Sequence, residues 1–237
     1  MRWRRTKERA GRRPWELDPI VSRPAADERS TAVVGVLVYR GVSSAEVDEP
    51  ARLLAARMSA AIALVGAEAG PLHAVEPSRS IVAGFDPSTA PPIDVLVVPG
   101  GLGWRQVLDD ATLRLWLADT ARDARGILAI STGSLLLASV GRLDGRAATG
   151  HWLAEGELAA LGARVSSTRT ALDESGRIVT ASGAMAALTV IDGLADSAQW
   201  SRWAPEAPST TPTPGGDLLA DRPSPQQDDG WARPTSG

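Results

Sequence analysis

A serine becomes a nucleophile only when the chain lifts it into reach and something takes its proton. In ILAISTGSLLLASVG, Ser131 has small residues two positions away on either side, Ala129 and Gly133, as a sharp strand-to-helix turn requires. The segment departs from the hydrolase pattern G-x-S-x-G only at Ala129. A helix beginning there turns free N–H groups and the positive end of its dipole toward the hydroxyl. A second loop, Pro99-Gly100-Gly101, leaves the end of IDVLVV, and its glycines let another backbone approach. The amides of Gly101 and Thr132 would then hold an oxyanion, each worth about 3 kcal/mol in a working site. A plainer reading competes: a serine opening a helix is an N-cap, and Pro-Gly-Gly is a turn. Two such loops on consecutive strand ends of one pattern are what raise the chemical reading to equal standing.

Other chemistries are excluded by what the chain lacks. It has no cysteine, so disulfides, thiolate metal sites and cysteine nucleophiles drop out. Lys7 is the single lysine and stands in the first residues, which removes a Schiff-base lysine from the domain. His73 and His151 are the only histidines, too few for a His-rich metal site, and no D-x-D-x-D loop offers a carboxylate site. PGGLGW is not a phosphate-binding loop, because no Lys-Ser/Thr follows it. We therefore expect neither metal nor cofactor. The net charge of −3 gives no general pull toward nucleic acid or anionic membrane. No run approaches the roughly 20 apolar residues of a bilayer span, and a cytoplasmic, soluble protein is expected. Of the eight tryptophans, Trp104 follows the Pro-Gly-Gly loop and is placed at a pocket mouth, against the alternative of packing on the following helix.

The elements that must position these residues follow from periodicity. AVVGVLVY, AIALVGA, IDVLVV and GILAIS are short, β-branched and apolar throughout, as strands buried on both faces are. EVDEPARLLAARMSA, ATLRLWLADTARDA, GSLLLASVG, HWLAEGELAALG and GAMAALTVIDGLADSAQW read as helices. LHAVE and SIVAGF are short strands, and ARVSSTRTALDESGRIVTAS reads as two strands joined at Asp-Glu-Ser-Gly. Strands alternating with helices predict an α/β fold, a three-layer α/β/α flavodoxin-like sandwich with a mostly parallel sheet. Ligands lie beyond the carboxyl ends of such strands.

Three segments are expected: a disordered basic leader over 1–30, a domain over 31–203, and a disordered Pro/Ser/Thr-rich tail over 204–237. The leader has two Arg-Arg pairs but lacks the apolar stretch of an export signal.

VLVVPGG, STGSLLLASVGRLDGRAATGHW and GRIVTASG together resemble the ThiJ/PfpI superfamily, over about Ala32 to Trp200. The resemblance implies a flavodoxin-like, class I glutamine amidotransferase-like fold. It points to the branch containing isonitrile hydratases and the sensor domains of AraC-type regulators. The family's nucleophilic cysteine falls on Ser131. Its carboxylate in the first strand-to-helix turn falls on Glu46 of YRGVSSAEVDEP, and a histidine near the site in several branches falls on His151. Glu49, where the branch commonly has glycine, and Gly150, where it has threonine, depart from the pattern and would reshape the pocket. Relatives commonly dimerise, and a surface near Trp200 and Trp203 is compatible with that.

Serine for cysteine changes the chemistry. A helix N-terminus makes a thiolate at neutral pH, whereas a serine hydroxyl keeps its proton until a base removes it. Three functions stay open for a small-molecule site: a Ser131–His151–Glu46 hydrolase triad, a Glu46-centred acid–base lyase, hydratase or isomerase, and ligand sensing without turnover.

Overall fold

The computed structural model describes residues 32–76, 78–197 and 200–204. The expected leader and tail, with Trp3, Trp15, Trp231 and Lys7, lie outside the described residues.

Four of the apolar runs lie side by side in one sheet. β1 (Val33–Leu37), β5 (Val95–Val98) and β6 (Gly126–Ile130) are buried at every residue, because helices cover both of their faces. With β2 (Ala61–Val65), β9 (Thr170–Leu172) and β10 (Ile178–Ala181) they make a six-stranded sheet in the order β2-β1-β5-β6-β10-β9. All neighbours pair in parallel except β9, which runs antiparallel to β10 at the edge. The fold is the expected mixed α/β sandwich.

One face carries α1 (Ser44–Met58) and α6 (Ala184–Ala195), packed on each other. The other carries α2 (Trp104–Asp109), α3 (Ala111–Asp123), α4 (Gly133–Ser139) and α5 (Glu155–Ala160). Asp110 starts α3 by accepting the N–H groups of Thr112 and Leu113 at 2.9 and 3.0 Å. The chain runs out from β1 to one side and from β5 to the other, so the strand order reverses between them. A crevice opens at the carboxyl ends there.

The structure differs from the sequence reading at short elements. Helix α2 was unforeseen, since WRQVLD is only six residues long and buries just Trp104 and Val107. HWLAEGELAALG is not one helix: a 3₁₀ turn over Trp152–Ala154 precedes α5, and Trp152 and Leu153 are each 70% exposed rather than on a buried stripe. The segment 164–181 holds three strands instead of two. β8 (Arg164–Val165) pairs with β7 (Ala147–Ala148), outside the main sheet. β3 (Gly70–His73) and β4 (Ser80–Ala83) form a separate antiparallel hairpin. The last predicted helix ends at Ala195, and α7 (Trp200–Trp203) is distinct. Trp203 is buried within its own chain, its Nε1 donating to the Gly176 carbonyl at 3.2 Å, while Trp200 packs against the core.

Candidate functional site

Three strand ends deliver the site. The turn after β1 leads into α1 and carries Glu46; the loop after β5 is Pro99-Gly100-Gly101; the turn after β6 is Ser131-Thr132. Side-chain hydrogen bonds stitch them together. The Gly100 N–H donates to Glu46 Oε2 at 2.7 Å, and the Ser43 N–H donates to the Gly100 carbonyl at 2.9 Å. The Gly101 N–H donates to Thr132 Oγ1 at 3.0 Å, and the Thr132 hydroxyl returns a bond to the Gly101 carbonyl at 3.3 Å. Tyr39, buried, donates its hydroxyl to the Pro99 carbonyl at 3.0 Å. Gly100 has to be glycine in this arrangement. A Cβ there would sit 2.7 Å from Thr132 Oγ1 and 2.9 Å from Glu46 Oε2.

Ser131 has φ 58°, the left-handed region a non-glycine residue seldom enters, and is 7% exposed. Its N–H donates to the Ala181 carbonyl at 2.7 Å, which pins the turn to β10. The N-cap reading is not what the structure shows. Thr132 occupies the cap position of α4, and no side chain caps that helix. Ser131 lines the cavity on this strained backbone, its hydroxyl beside the Glu46 carboxyl.

The expected oxyanion pair is only half present. The Gly101 amide is spent on Thr132 Oγ1, because the loop closes on the threonine hydroxyl. The Thr132 N–H has no acceptor among the described residues.

Glu46 lies at the cavity floor, 9% exposed. Burial pushes its carboxyl above the ordinary carboxylate range; the Gly100 N–H and the Ser131 hydroxyl pull the other way, and the charge of Glu76 adds to the rise. The fully formed hydrogen bond is the one from Gly100, while the Ser131 hydroxyl faces the carboxyl without completing one. Pro50, inside α1, has no N–H to give the Glu46 carbonyl four residues back. Glu76 belongs to the loop joining β3 and β4 and accepts the Ser44 N–H at 3.1 Å, so that hairpin braces the start of α1.

His151 lines the cavity but joins neither Ser131 nor Glu46 in a hydrogen bond. Its Nδ1 accepts the Leu153 N–H at 3.3 Å, and its ring stands beside Trp152 with centroids 5.8 Å apart. The expected Ser131–His151–Glu46 relay is not assembled.

The cavity over these groups measures about 420 Å³. Its walls are mostly apolar, with Leu102, Trp104, Leu135 and Leu153 among them. Trp104 lines the cavity as expected and is also 8% exposed, so it packs as well. Glu49 is exposed and away from the cavity. At Gly150 a Cβ would come within 3.0 Å of the Ser131 carbonyl, so this departure does bear on the turn. Sequence reasoning missed Tyr39, Glu76, Arg105 and Glu157. Arg105, one residue past Trp104, and Tyr39, which opens the YRGVSSAEVDEP segment, stood close enough to recognised motifs to have been found.

A sequence model of the DJ-1/PfpI family matches residues 32–195, which include all of these groups. The chain belongs to the DJ-1/PfpI family. It is 29% identical over 159 residues to an isonitrile hydratase from Pseudomonas putida, covering 65% of this chain and 67% of that protein. The crystal structure of a ThiJ/PfpI family protein from Pseudomonas syringae superposes with a TM-score of 0.64 at 28% identity, covering 77% of this chain and 79% of that one. DJ-1 from Schizosaccharomyces pombe shares the fold at a TM-score of 0.59 and 17% identity, over 71% and 95% of the two chains. Among the described residues, no helix is long and apolar enough to cross a membrane, and no cluster of His, Cys, Asp or Glu is suited to a metal ion.

Proposed function

We propose that this DJ-1/PfpI protein adds water to a small, largely apolar molecule, with Glu46 as general acid and base and Ser131 holding the reacting group. The observation that carries the reading is the buried Glu46 carboxyl, raised in pKa and fixed by the Gly100 N–H, directly beside the Ser131 hydroxyl. A raised carboxyl keeps its proton available for donation, and general acid–base catalysis of this kind contributes about 10²–10⁴ in rate. The substrate class to take first is isonitriles, since a relative at 29% identity carries the name isonitrile hydratase.

The chemistry balances on the residues present. Glu46 gives its proton to the terminal carbon of R–N≡C, and water attacks that carbon. The water proton then returns to the Glu46 carboxylate, and the adduct tautomerises to the formamide R–NH–CHO. The net change is the addition of one water. Ser131 needs no base in this scheme: its hydroxyl donates a hydrogen bond to the substrate, or accepts one from the attacking water. Thr132, whose N–H has no acceptor among the described residues, lines the same cavity.

The test is incubation with cyclohexyl isocyanide and detection of N-cyclohexylformamide by NMR. Turnover lost in Glu46→Gln supports the reading, and turnover that survives that change overturns it. Labelling of Ser131 by a fluorophosphonate, read by intact mass, would replace it with a serine-hydrolase mechanism. The missing imidazole link to Ser131 favours one second reading, a ligand sensor of the same fold. It predicts saturable binding of isonitriles or formamides without product.

A further inference from the structure

We propose that Arg105, stacked on Trp104 at the cavity mouth, selects substrates that carry an anionic group at the end remote from the reacting one, with Glu157 as the internal ion such a group displaces. Calling that end remote rests on the reaction taking place at Glu46.

The charges around the cavity are laid out in depth. The floor holds the Glu46 carboxyl, the walls are apolar, and Arg105 is the only arginine or lysine among the lining residues. An anion is unwelcome beside a carboxyl and finds a cation only at the rim. There the guanidinium carbon of Arg105 lies 4.3 Å from the centroid of the Trp104 ring. Trp104 is itself buried, so the ring is a fixed platform, and stacking orients the guanidinium while leaving its N–H edges free for a planar carboxylate. A bidentate pair of this sort is the geometry arginine offers and lysine does not.

One such edge is already used. Arg105 Nη2 meets Glu157 Oε2 at 3.3 Å, bridging α2 to α5 across the opening. The two side chains are 69% and 39% exposed, and ion pairs of that exposure contribute little to stability. Exchanging Glu157 for a ligand carboxylate therefore costs little. Glu157 sits in the first turn of α5, a favourable place for a carboxylate even without Arg105. Leu102, 84% exposed, and Leu153 flank the same opening, so an apolar chain passing the rim stays covered on its way to the floor.

The experiment is a binding series by NMR titration at low salt, using straight-chain alkanoates of four to eight carbons and their primary amides, on the full chain. The expected result is a preference of about tenfold for carboxylate over amide at the length that spans the cavity, equivalent to ~1.4 kcal/mol. Arg105→Gln should bring the pair within about twofold, and Glu157→Gln should tighten the carboxylate by about two- to fivefold by removing its competitor. Equal affinities in the unaltered protein, a preference that survives Arg105→Gln, or no saturable binding of either series up to about 10 mM would each overturn the proposal. Its failure is separable from failure of the hydration reading. Carboxylate preference without hydration of cyclohexyl isocyanide leaves the selection standing and the reaction wrong, and hydration without preference does the reverse.

Discussion

Two buried carboxylates face opposite fates in this molecule. Asp173, in the turn between β9 and β10, is 3% exposed, and Glu46 is 9% exposed. Burial works to raise both. At Asp173 it is outweighed by the Ser175 hydroxyl, the N–H groups of Ile178 and Arg177, and the Arg146 guanidinium, which together hold the carboxyl below its usual range. Glu46 has the Gly100 N–H, a hydroxyl that faces it without a full hydrogen bond, and a like charge from Glu76, and it ends up raised. At Asp173 enough donors are supplied to outweigh burial and leave a structural anion, whereas at Glu46 burial outweighs the fewer donors and leaves a carboxyl that keeps its proton longer. The Asp173 turn is saturated, and the Glu46 site is left underfilled on the side that faces the cavity.

This contrast is open to attack. The largest effect expected is on catalysis: Glu46→Gln keeps the shape and an acceptor for Gly100 but cannot pass a proton, so isonitrile hydration should fall by about 10²–10⁴ in initial-rate assays. Next comes Asp173→Asn, which weakens several donors at once and should lower stability by about 2–4 kcal/mol in denaturant unfolding, with catalysis in the surviving folded fraction little changed. Ser131→Ala removes one positioned hydroxyl and should slow turnover by about tenfold, since ~1.4 kcal/mol is the scale of one such bond.

The smallest effect is in the pH dependence of melting, and its signs differ between the two carboxylates. Asp173 is depressed, so its contribution is present above the ordinary aspartate value of 3.8 and is lost as pH falls through its folded pKa. Glu46 is raised, so the folded state holds the proton longer. Stability declines as pH rises from the ordinary glutamate value of 4.5 through the folded pKa. Glu46→Gln should flatten that decline and raise the melting temperature at neutral pH by about 2–4 °C, the shift that ~1 kcal/mol produces in a chain of this size. A Glu46→Gln melting curve with unchanged pH dependence would mean that the two carboxylates do not differ in the way described.

The parts of the fold that were legible in the sequence are those with an internal repeat of hydrophobicity. β1, β5 and β6 are all-apolar runs and announce burial on both faces, and α3 shows its stripe in Leu113, Trp116 and Leu117, of which Trp116 is only partly buried. Helix α2 and the paired β7 and β8 carry six and two residues each, too few for any period to show. The burial of Trp203 was not legible, because a tryptophan's exposure depends on what faces it, here Gly126 and the Gly176 carbonyl.

Sequence by itself determined the alternation that forces a parallel sheet, the loops at its carboxyl ends, and the replacement of a thiol by a hydroxyl at position 131. The first two follow from local composition and spacing, and the third from the family resemblance. Only the tertiary structure decided which side chains meet: that Glu46 is held by Gly100, that the Gly101 amide closes on Thr132, that His151 turns its Nδ1 to its own backbone, and that Arg105 faces Glu157 over the opening. Glu46 and Gly100 are separated by 54 residues, and Arg105 and Glu157 by 52. Contacts at such separations are set by how strands order themselves in the sheet, and the strands' own residues carry no local mark of that order.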